Sequence, residues 1–184
     1  MTAIHSVTVE DAADHAGGSF RTLDSAGRPA PPRILVIGYG NELRRDDGVG
    51  PRMGALIDAE RREGVEVMNV HQLTPELAEP MSHSDAVVFI DACIDGTASV
   101  QVRSLSTRRQ PCVRAHFADP SVLLALCSEL YGRAPMAWCI RVPAEDLGYG
   151  EGLSQAAEAM VQPALRAFEV LASSVRMTDS GQIR

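Results

Sequence analysis

The sequence predicts an α/β protein: a three-layer α/β/α sandwich on a twisted, mostly parallel sheet of about five strands, one of them antiparallel. Short apolar runs alternate along the chain with segments of helical periodicity, which is the pattern of parallel strands joined by helices. The run at 86–91, Ala-Val-Val-Phe-Ile-Asp, is apolar almost throughout, as expected of a central strand covered on both faces. A hairpin-like step at Asp95-Gly96 precedes an alternating segment and indicates the antiparallel strand.

The individual elements follow from periodicity and from the residues that begin and end helices. Thr74 and Asp119 are typical N-caps, and Pro75 and Pro120 follow them at the first helical position, where a missing N–H costs little. Pro163 falls inside the last predicted helix and indicates a kink or a restart there. Strands are predicted at 33–38, 65–70, 86–91, 99–105 and 136–142. Helices are predicted at 50–62, at 74–81, from 119 to about 130 and at 154–173.

The chain is expected to hold one folded domain. Residues 32–176 form the predicted α/β domain, which is long enough to bury a full core. Residues 1–31 are polar and rich in Ala, Gly, Asp and Ser, so we expect a flexible N-terminal arm or a loosely attached edge segment. Residues 177–184 are expected to be a flexible C-terminal tail.

Charge and composition exclude several classes of partner. The net charge is -7, which argues against a nucleic-acid or anionic-membrane surface. No apolar run reaches the roughly 20 residues that a membrane helix needs, and the N-terminus lacks an apolar signal core, so we expect a cytoplasmic protein. The 4 cysteines lack the C-x-x-C spacing of zinc or redox sites and are expected to be free thiols.

Acidic and imidazole side chains stand where the predicted sheet opens. Asp46 and Asp47 follow the first core strand, Asp91 ends the strand at 86–91, and His116 precedes a helix start. Open α/β sheets bind ligands at the carboxyl ends of their parallel strands, so these groups could converge. Two carboxylates and an imidazole suit a divalent transition metal, and they could also serve as an acid/base set. Cys93 would share the face of Asp91 only if that strand continued.

The opening loop also resembles a known signature. Residues 38–52 follow the pattern G-Y-G-N-x-L-x-x-D-D-G-x-G-x-R, which is similar to that of the nickel-iron hydrogenase maturation endopeptidases. The similarity covers roughly 33–172 and leaves the N-terminal arm unmatched. It continues at 89–92, 115–116, 141–147 and 152–154.

This resemblance implies a C-terminal processing protease of the hydrogenase large subunit. Such an enzyme removes a short C-terminal extension from the large-subunit precursor, its protein partner, after nickel insertion. The family's metal-contacting and catalytic positions fall on Asp47, Asp91 and His116, although some members have Glu where Asp47 stands. The nickel is thought to be supplied by the substrate, so the free enzyme need hold no metal.

Four further residues are expected to bind substrate or shape the loop. Gly40, Asn41 and Asp46 belong to the opening motif, and Asp46 is expected to act through loop geometry or capping. His71 stands in a segment where many members of the family have Asp-Gly-Gly. It would lie on the same sheet edge, where it either contacts substrate or has a plain structural role.

Other functions remain open at this stage. A dinucleotide-binding module is disfavoured because Leu43 stands where a third glycine belongs, and Asn69 and Val70, not an acidic residue, end the second strand. A non-catalytic hydrogenase assembly factor of the same fold is a second alternative. A peptidase that acts on another precursor is a third.

Overall fold

A six-stranded sheet forms the centre of the computed structural model, which describes residues 8–10, 30–107 and 119–179. The strands are β1 Thr8–Glu10, β2 Ile34–Tyr39, β3 Val65–Val70, β4 Ala86–Cys93, β5 Gln101–Leu105 and β6 Met136–Pro143. The helices are α1 Val49–Ala59, α2 Ala78–Ser82, α3 Pro120–Tyr131 and α4 Gln155–Asp179. Short 3-10 segments at Arg45–Gly48 and Pro75–Leu77 lead into α1 and α2.

Helices cover both faces of this sheet. Successive residues of a strand point to opposite sides, so each central strand contributes to two cores. On one face, Val36, Val88 and Ile140 pack with α1 and α4, and on the other, Ile37 and Phe89 pack with α2 and α3. The three-layer α/β/α sandwich predicted from the apolar runs is therefore confirmed.

The strand order is β1-β5-β6-β4-β2-β3, and β5 runs antiparallel to β6. The predicted antiparallel strand is thus confirmed, but the step at Asp95-Gly96 is not a hairpin. β6 lies between β4 and β5 and pairs with both, so the chain crosses over after β4 before it enters the sheet again.

The last helix continues through Pro163, so of the predicted kink or restart the restart is wrong, and the kink stays a prediction. Pro163 removes one backbone N–H, but the apolar stripe of the helix is unbroken on either side of it. Val161, Ala164 and Phe168 are all buried in the core that α4 shares with α1 and β6. This continuous burial stabilises the helix across the missing hydrogen bond.

The N-terminal segment contributes β1, which pairs in parallel with β5 at one edge of the sheet. Residues 1–7, 11–29 and 180–184 lie outside the described residues, so the predicted flexibility of the arm and of the tail stays a prediction there. α4 itself extends to Asp179. Within the described part of the chain, no helix is long and apolar enough to cross a membrane.

Gly50 lets the first turn of α1 lie directly on the sheet. A Cβ added at this position would come within 3.0 Å of three backbone atoms, which belong to Tyr39 and Ile90. These residues lie near the carboxyl ends of β2 and β4, so the helix fixes the two strand ends relative to each other.

Asp46 joins the loop after β2 to the segment that connects β6 with α4. Its side chain is fully buried and accepts hydrogen bonds from the backbone N–H groups of Glu145 at 2.9 Å, Asp146 at 2.9 Å and Ser154 at 2.6 Å. The Ser154 hydroxyl donates a fourth bond at 2.9 Å. Asp46 therefore shapes the loop by this long-range contact, not by capping a helix.

Replacing Gly50 by alanine should strain this contact. We expect Gly50→Ala to lower the free energy of unfolding by about 2–3 kcal/mol, because backbone atoms cannot move aside as a flexible side chain can. Urea denaturation measures the change. Gly148→Ala is the control, since its Cβ would meet only the Asp146 carboxylate, at 3.0 Å. Equal losses in the two variants would contradict this account of α1.

Replacing Asp46 by asparagine should be costly at neutral pH, since an amide nitrogen would face N–H donors. We expect Asp46→Asn to lose about 3 kcal/mol of stability at pH 7. Although burial opposes ionisation, the hydrogen bonds from Asp146, Ser154 and Glu145 hold the pKa of Asp46 below its ordinary value of 3.8. The contribution of Asp46 is therefore fully present above about pH 4 and is lost as the pH falls through the folded-state pKa.

Urea denaturation between pH 3 and pH 8 tests this difference. The control is Asp58→Asn, since the Asp58 side chain is 52% exposed and lies 3.8 Å from Arg61. It should change stability by less than about 1 kcal/mol. A loss for Asp46→Asn that is equally small, or that does not shrink in acid, would contradict the role of Asp46.

Candidate active site

A row of polar side chains crosses the sheet near the carboxyl ends of its parallel strands. Asp91 on β4 pairs in register with Arg141 on β6, and Arg141 pairs with Gln101 on β5. Tyr39 on β2 completes this polar row, because its hydroxyl donates a 2.8 Å hydrogen bond to Asp91 Oδ2. Tyr39 packs against the core under α2 and α3, which places the row on that face.

Asp91 is partly buried in this row, and its pKa is raised above the ordinary value for an aspartate. Burial, together with the negative charge of Asp47, raises the pKa of Asp91 to about 6. The hydrogen bond from Tyr39 and the charge of Arg141 act in the opposite direction. A carboxyl group that titrates near neutral pH can both release and accept a proton under physiological conditions.

The loop after β2 holds Asp47. Gly40 has a φ of +136°, and a Cβ there would overlap the carbonyl oxygen of Asp47, so glycine allows the loop to fold back on itself. The Asn41 N–H donates to Asp47 Oδ2 at 3.0 Å, and the Asn41 side chain accepts from the Leu43 N–H at 3.0 Å. The loop thus orients the Asp47 carboxylate close enough to act on the pKa of Asp91.

The roles predicted for the two histidines are not tested by the described residues. His116 is outside the described residues, although α3 begins shortly after it, capped by the Asp119 side chain at 2.9 Å from the Ser121 N–H. His71 is exposed just after β3, whose last residue, Val70, accepts a hydrogen bond from the Gly40 N–H at 3.2 Å. The roles of these residues stay predictions.

Arg141 is a member of the row that the sequence did not indicate. Its guanidinium contacts Asp95 Oδ2 at 2.8 Å, Gln101 Oε1 at 3.1 Å and Cys93 Sγ at 2.5 Å. β4 continues through Cys93, so this residue does share the face of Asp91, but its sulfur is buried against Arg141. Burial raises the pKa of the Cys93 thiol, which favours its protonated form.

The described residues alone hold no complete metal site. Within 8–10, 30–107 and 119–179, no three His, Cys, Asp or Glu side chains cluster as metal ligands. Cys93, Cys127 and Cys139 are free and buried, as predicted for thiols without a metal-binding spacing. Asp47 and Asp91 are therefore the acidic pair that the described part of the site contributes.

The loop geometry also disfavours a phosphate ligand. A phosphate-binding loop presents unpaired backbone N–H groups to its ligand. Here the Asn41 N–H is occupied by the Asp47 carboxylate, and that negative charge would repel a phosphate.

Known proteins share both the sequence and the fold. No family model matches the chain. It is 30% identical over 154 residues to the hydrogenase expression/formation protein HoxM of Azotobacter vinelandii, an alignment that covers 77% of this chain and 73% of that protein. The structure of the hydrogenase maturating endopeptidase HybD from E. coli matches with a TM-score of 0.62 and 25% identity, over 81% of this chain and 94% of that one.

A second solved structure agrees with the first. The [NiFe] hydrogenase maturation protease HybD from Thermococcus kodakarensis matches with a TM-score of 0.61 and 29% identity, over 76% of this chain and 99% of that one. The similarity predicted from residues 38–52 is thereby confirmed across most of the chain. The chain belongs to the [NiFe]-hydrogenase maturation endopeptidase family.

Proposed function

We propose that this chain is a cytoplasmic endopeptidase that removes the C-terminal extension of a [NiFe]-hydrogenase large-subunit precursor after nickel insertion. Family membership supports the class of reaction. The observation that carries the proposal is the pairing of Asp47 and Asp91, two carboxylates close enough for one charge to raise the pKa of the other.

Each carboxylate of this pair is held by a donor from the protein. The Asn41 N–H holds Asp47, and the Tyr39 hydroxyl holds Asp91. Oriented carboxylates lose little freedom when a ligand binds, so the pair suits recognition of a metal ion carried by a substrate.

His116 is the third ligand in this proposal. Burial is the main cause of the raised pKa of Tyr39, and the charges of Asp91 and Asp119 contribute to it, so α3 begins near the polar row. His116 precedes Asp119 by three positions, and such a length of chain spans at most about 11 Å. A position for His116 beside the carboxylate pair is part of this proposal.

The proposed mechanism places the scissile carbonyl of the precursor beside Asp91. Asp91 is largely ionised at pH 7 and accepts a proton from the water that attacks the carbonyl carbon. The protonated carboxyl then returns this proton to the amine that leaves as the C–N bond breaks. Nickel carried by the precursor would polarise the carbonyl and hold the segment in place.

Two alternatives keep the same fold. In the first, the chain is a non-catalytic assembly factor, and in the second, it cleaves another precursor. Cleavage of a purified large-subunit precursor distinguishes the proposed function from both alternatives, because a binding factor and a peptidase of other specificity would each leave the extension attached.

The ligand assignment predicts which substitutions abolish processing. We expect Asp91→Asn and His116→Ala each to reduce precursor cleavage by at least about 100-fold, because the amide lacks the charge of the carboxylate and the methyl group lacks the lone pair of the imidazole. Asp47→Glu should retain more activity than either. Cleavage is followed by the mobility of the large subunit on a denaturing gel, and near wild-type rates in Asp91→Asn or His116→Ala would refute the assignment.

Stability serves as the control for Asp91→Asn. The folded-state pKa of about 6 exceeds the ordinary value of 3.8, so ionised Asp91 costs stability above pH 6. At pH 8, with a chelator present, the variant should therefore be more stable than the wild type by about 1–3 kcal/mol. Lost activity in a more stable protein cannot be attributed to misfolding.

The site also predicts where the nickel comes from. Two carboxylates and one imidazole lack the thiolates that hold nickel most tightly, so the purified protein should carry little nickel. It should cleave nickel-loaded precursor and leave nickel-free precursor intact. Metal analysis and parallel cleavage assays of both precursor forms provide the test, and equal cleavage of the two forms would exclude substrate-borne nickel as the trigger.

A further inference from the structure

Tyr39 stands inside the opening motif, but the proposed ligand set leaves it without a role. Its hydroxyl lies 2.8 Å from Asp91 Oδ2 and donates the hydrogen bond, because the carboxylate can only accept. The two residues follow the last paired positions of β2 and β4, Gly38 and Ile90, so they lie side by side at the end of the parallel ladder.

The surroundings of Tyr39 fix this donor before any substrate binds. The backbone of Tyr39 is paired with Val70 of β3 and lies against Gly50 at the start of α1. Its ring packs on the core beneath α2 and α3. A donor held on several sides is preorganised, so the orientation of its acceptor is set in advance.

Arg141 could have served the same purpose, but its side-chain hydrogen bonds go elsewhere. Although it pairs in register with Asp91, its guanidinium contacts Asp95, Gln101 and Cys93. Arg141 acts on Asp91 through charge alone, whereas Tyr39 acts through a directional bond.

We propose that Tyr39 is a positioning residue, whose hydroxyl fixes the Asp91 carboxylate in the orientation that contacts the nickel of the precursor. This inference rests on the proposed function. Tyr39 does not touch the substrate and acts through Asp91. Donors of this kind to a metal-binding side chain typically change metal affinity or activity by about 10- to 100-fold.

The test is Tyr39→Phe, which keeps the ring and removes the hydroxyl. We expect kcat for nickel-loaded precursor to fall by about 10-fold or more, with a melting temperature close to that of the wild type. The affinity for added Ni²⁺ alone, measured by calorimetry on the free protein, should fall by a similar factor. Tyr131→Phe is the matched control, because Tyr131 is 45% exposed at the end of α3 and should change neither quantity.

A second comparison separates positioning from general structural support. Adding Tyr39→Phe to Asp91→Asn should leave the Ni²⁺ affinity of the single Asp91 variant unchanged, because Tyr39 would act only through the carboxylate. An additional loss in the double variant would overturn the proposal. So would wild-type Ni²⁺ affinity and kcat in Tyr39→Phe, or a loss of kcat that accompanies only a lower melting temperature.

The outcome for Tyr39 is distinguishable from the outcome for the proposed function. If the wild-type protein fails to cleave the nickel-loaded precursor, the proposed function is wrong. The Ni²⁺ affinities of the wild type, Tyr39→Phe and Tyr131→Phe would still decide whether Tyr39 positions Asp91.

Discussion

The rest of the site depends on the buried carboxylate of Asp46. It accepts four hydrogen bonds from a segment about a hundred residues away in sequence, and so fastens the loop after β2 to the start of α4. Asp47 is the next residue in the chain, so the hydrogen bonds of Asp46 also fix the backbone of this proposed nickel ligand. The protein thus uses two adjacent aspartates differently: Asp46 is buried with its negative charge stabilised by hydrogen-bond donors, whereas Asp47 is only partly buried.

Asp91 shows the opposite balance of forces. Asp46 is surrounded by donors that favour its charge, but Asp91 lies at the end of a buried strand where desolvation outweighs the help of Tyr39 and Arg141. A charge that is poorly compensated in the free protein is available for a positively charged ligand. The same burial that makes this residue unfavourable for stability therefore makes it suitable for recognising a cation.

The sequence could predict the layers because their cause is local. The apolar run of β4 and the cap at Asp119 need no knowledge of neighbours, and both agree with the structure. The position of β5 could not be predicted, because β6, a strand from much later in the chain, lies between β4 and β5. Tyr39 and Arg141 were missed for the same reason: their contacts cross strands, and only the register brings them to Asp91. His116 was indicated by its context alone and lies outside the described residues.

The strand order has a consequence for how the chain is assembled. β6, which begins at residue 136, lies between β4 and β5, so β5 has no partner toward the sheet centre until the C-terminal half has been made. β1 pairs only with β5 among the described strands, so its place in the sheet also depends on β6. During synthesis, β1 is made before all the other described strands, but its partner joins the sheet only after β6 has been made. Such long-range pairing carries a large loop-closure entropy and favours slow folding.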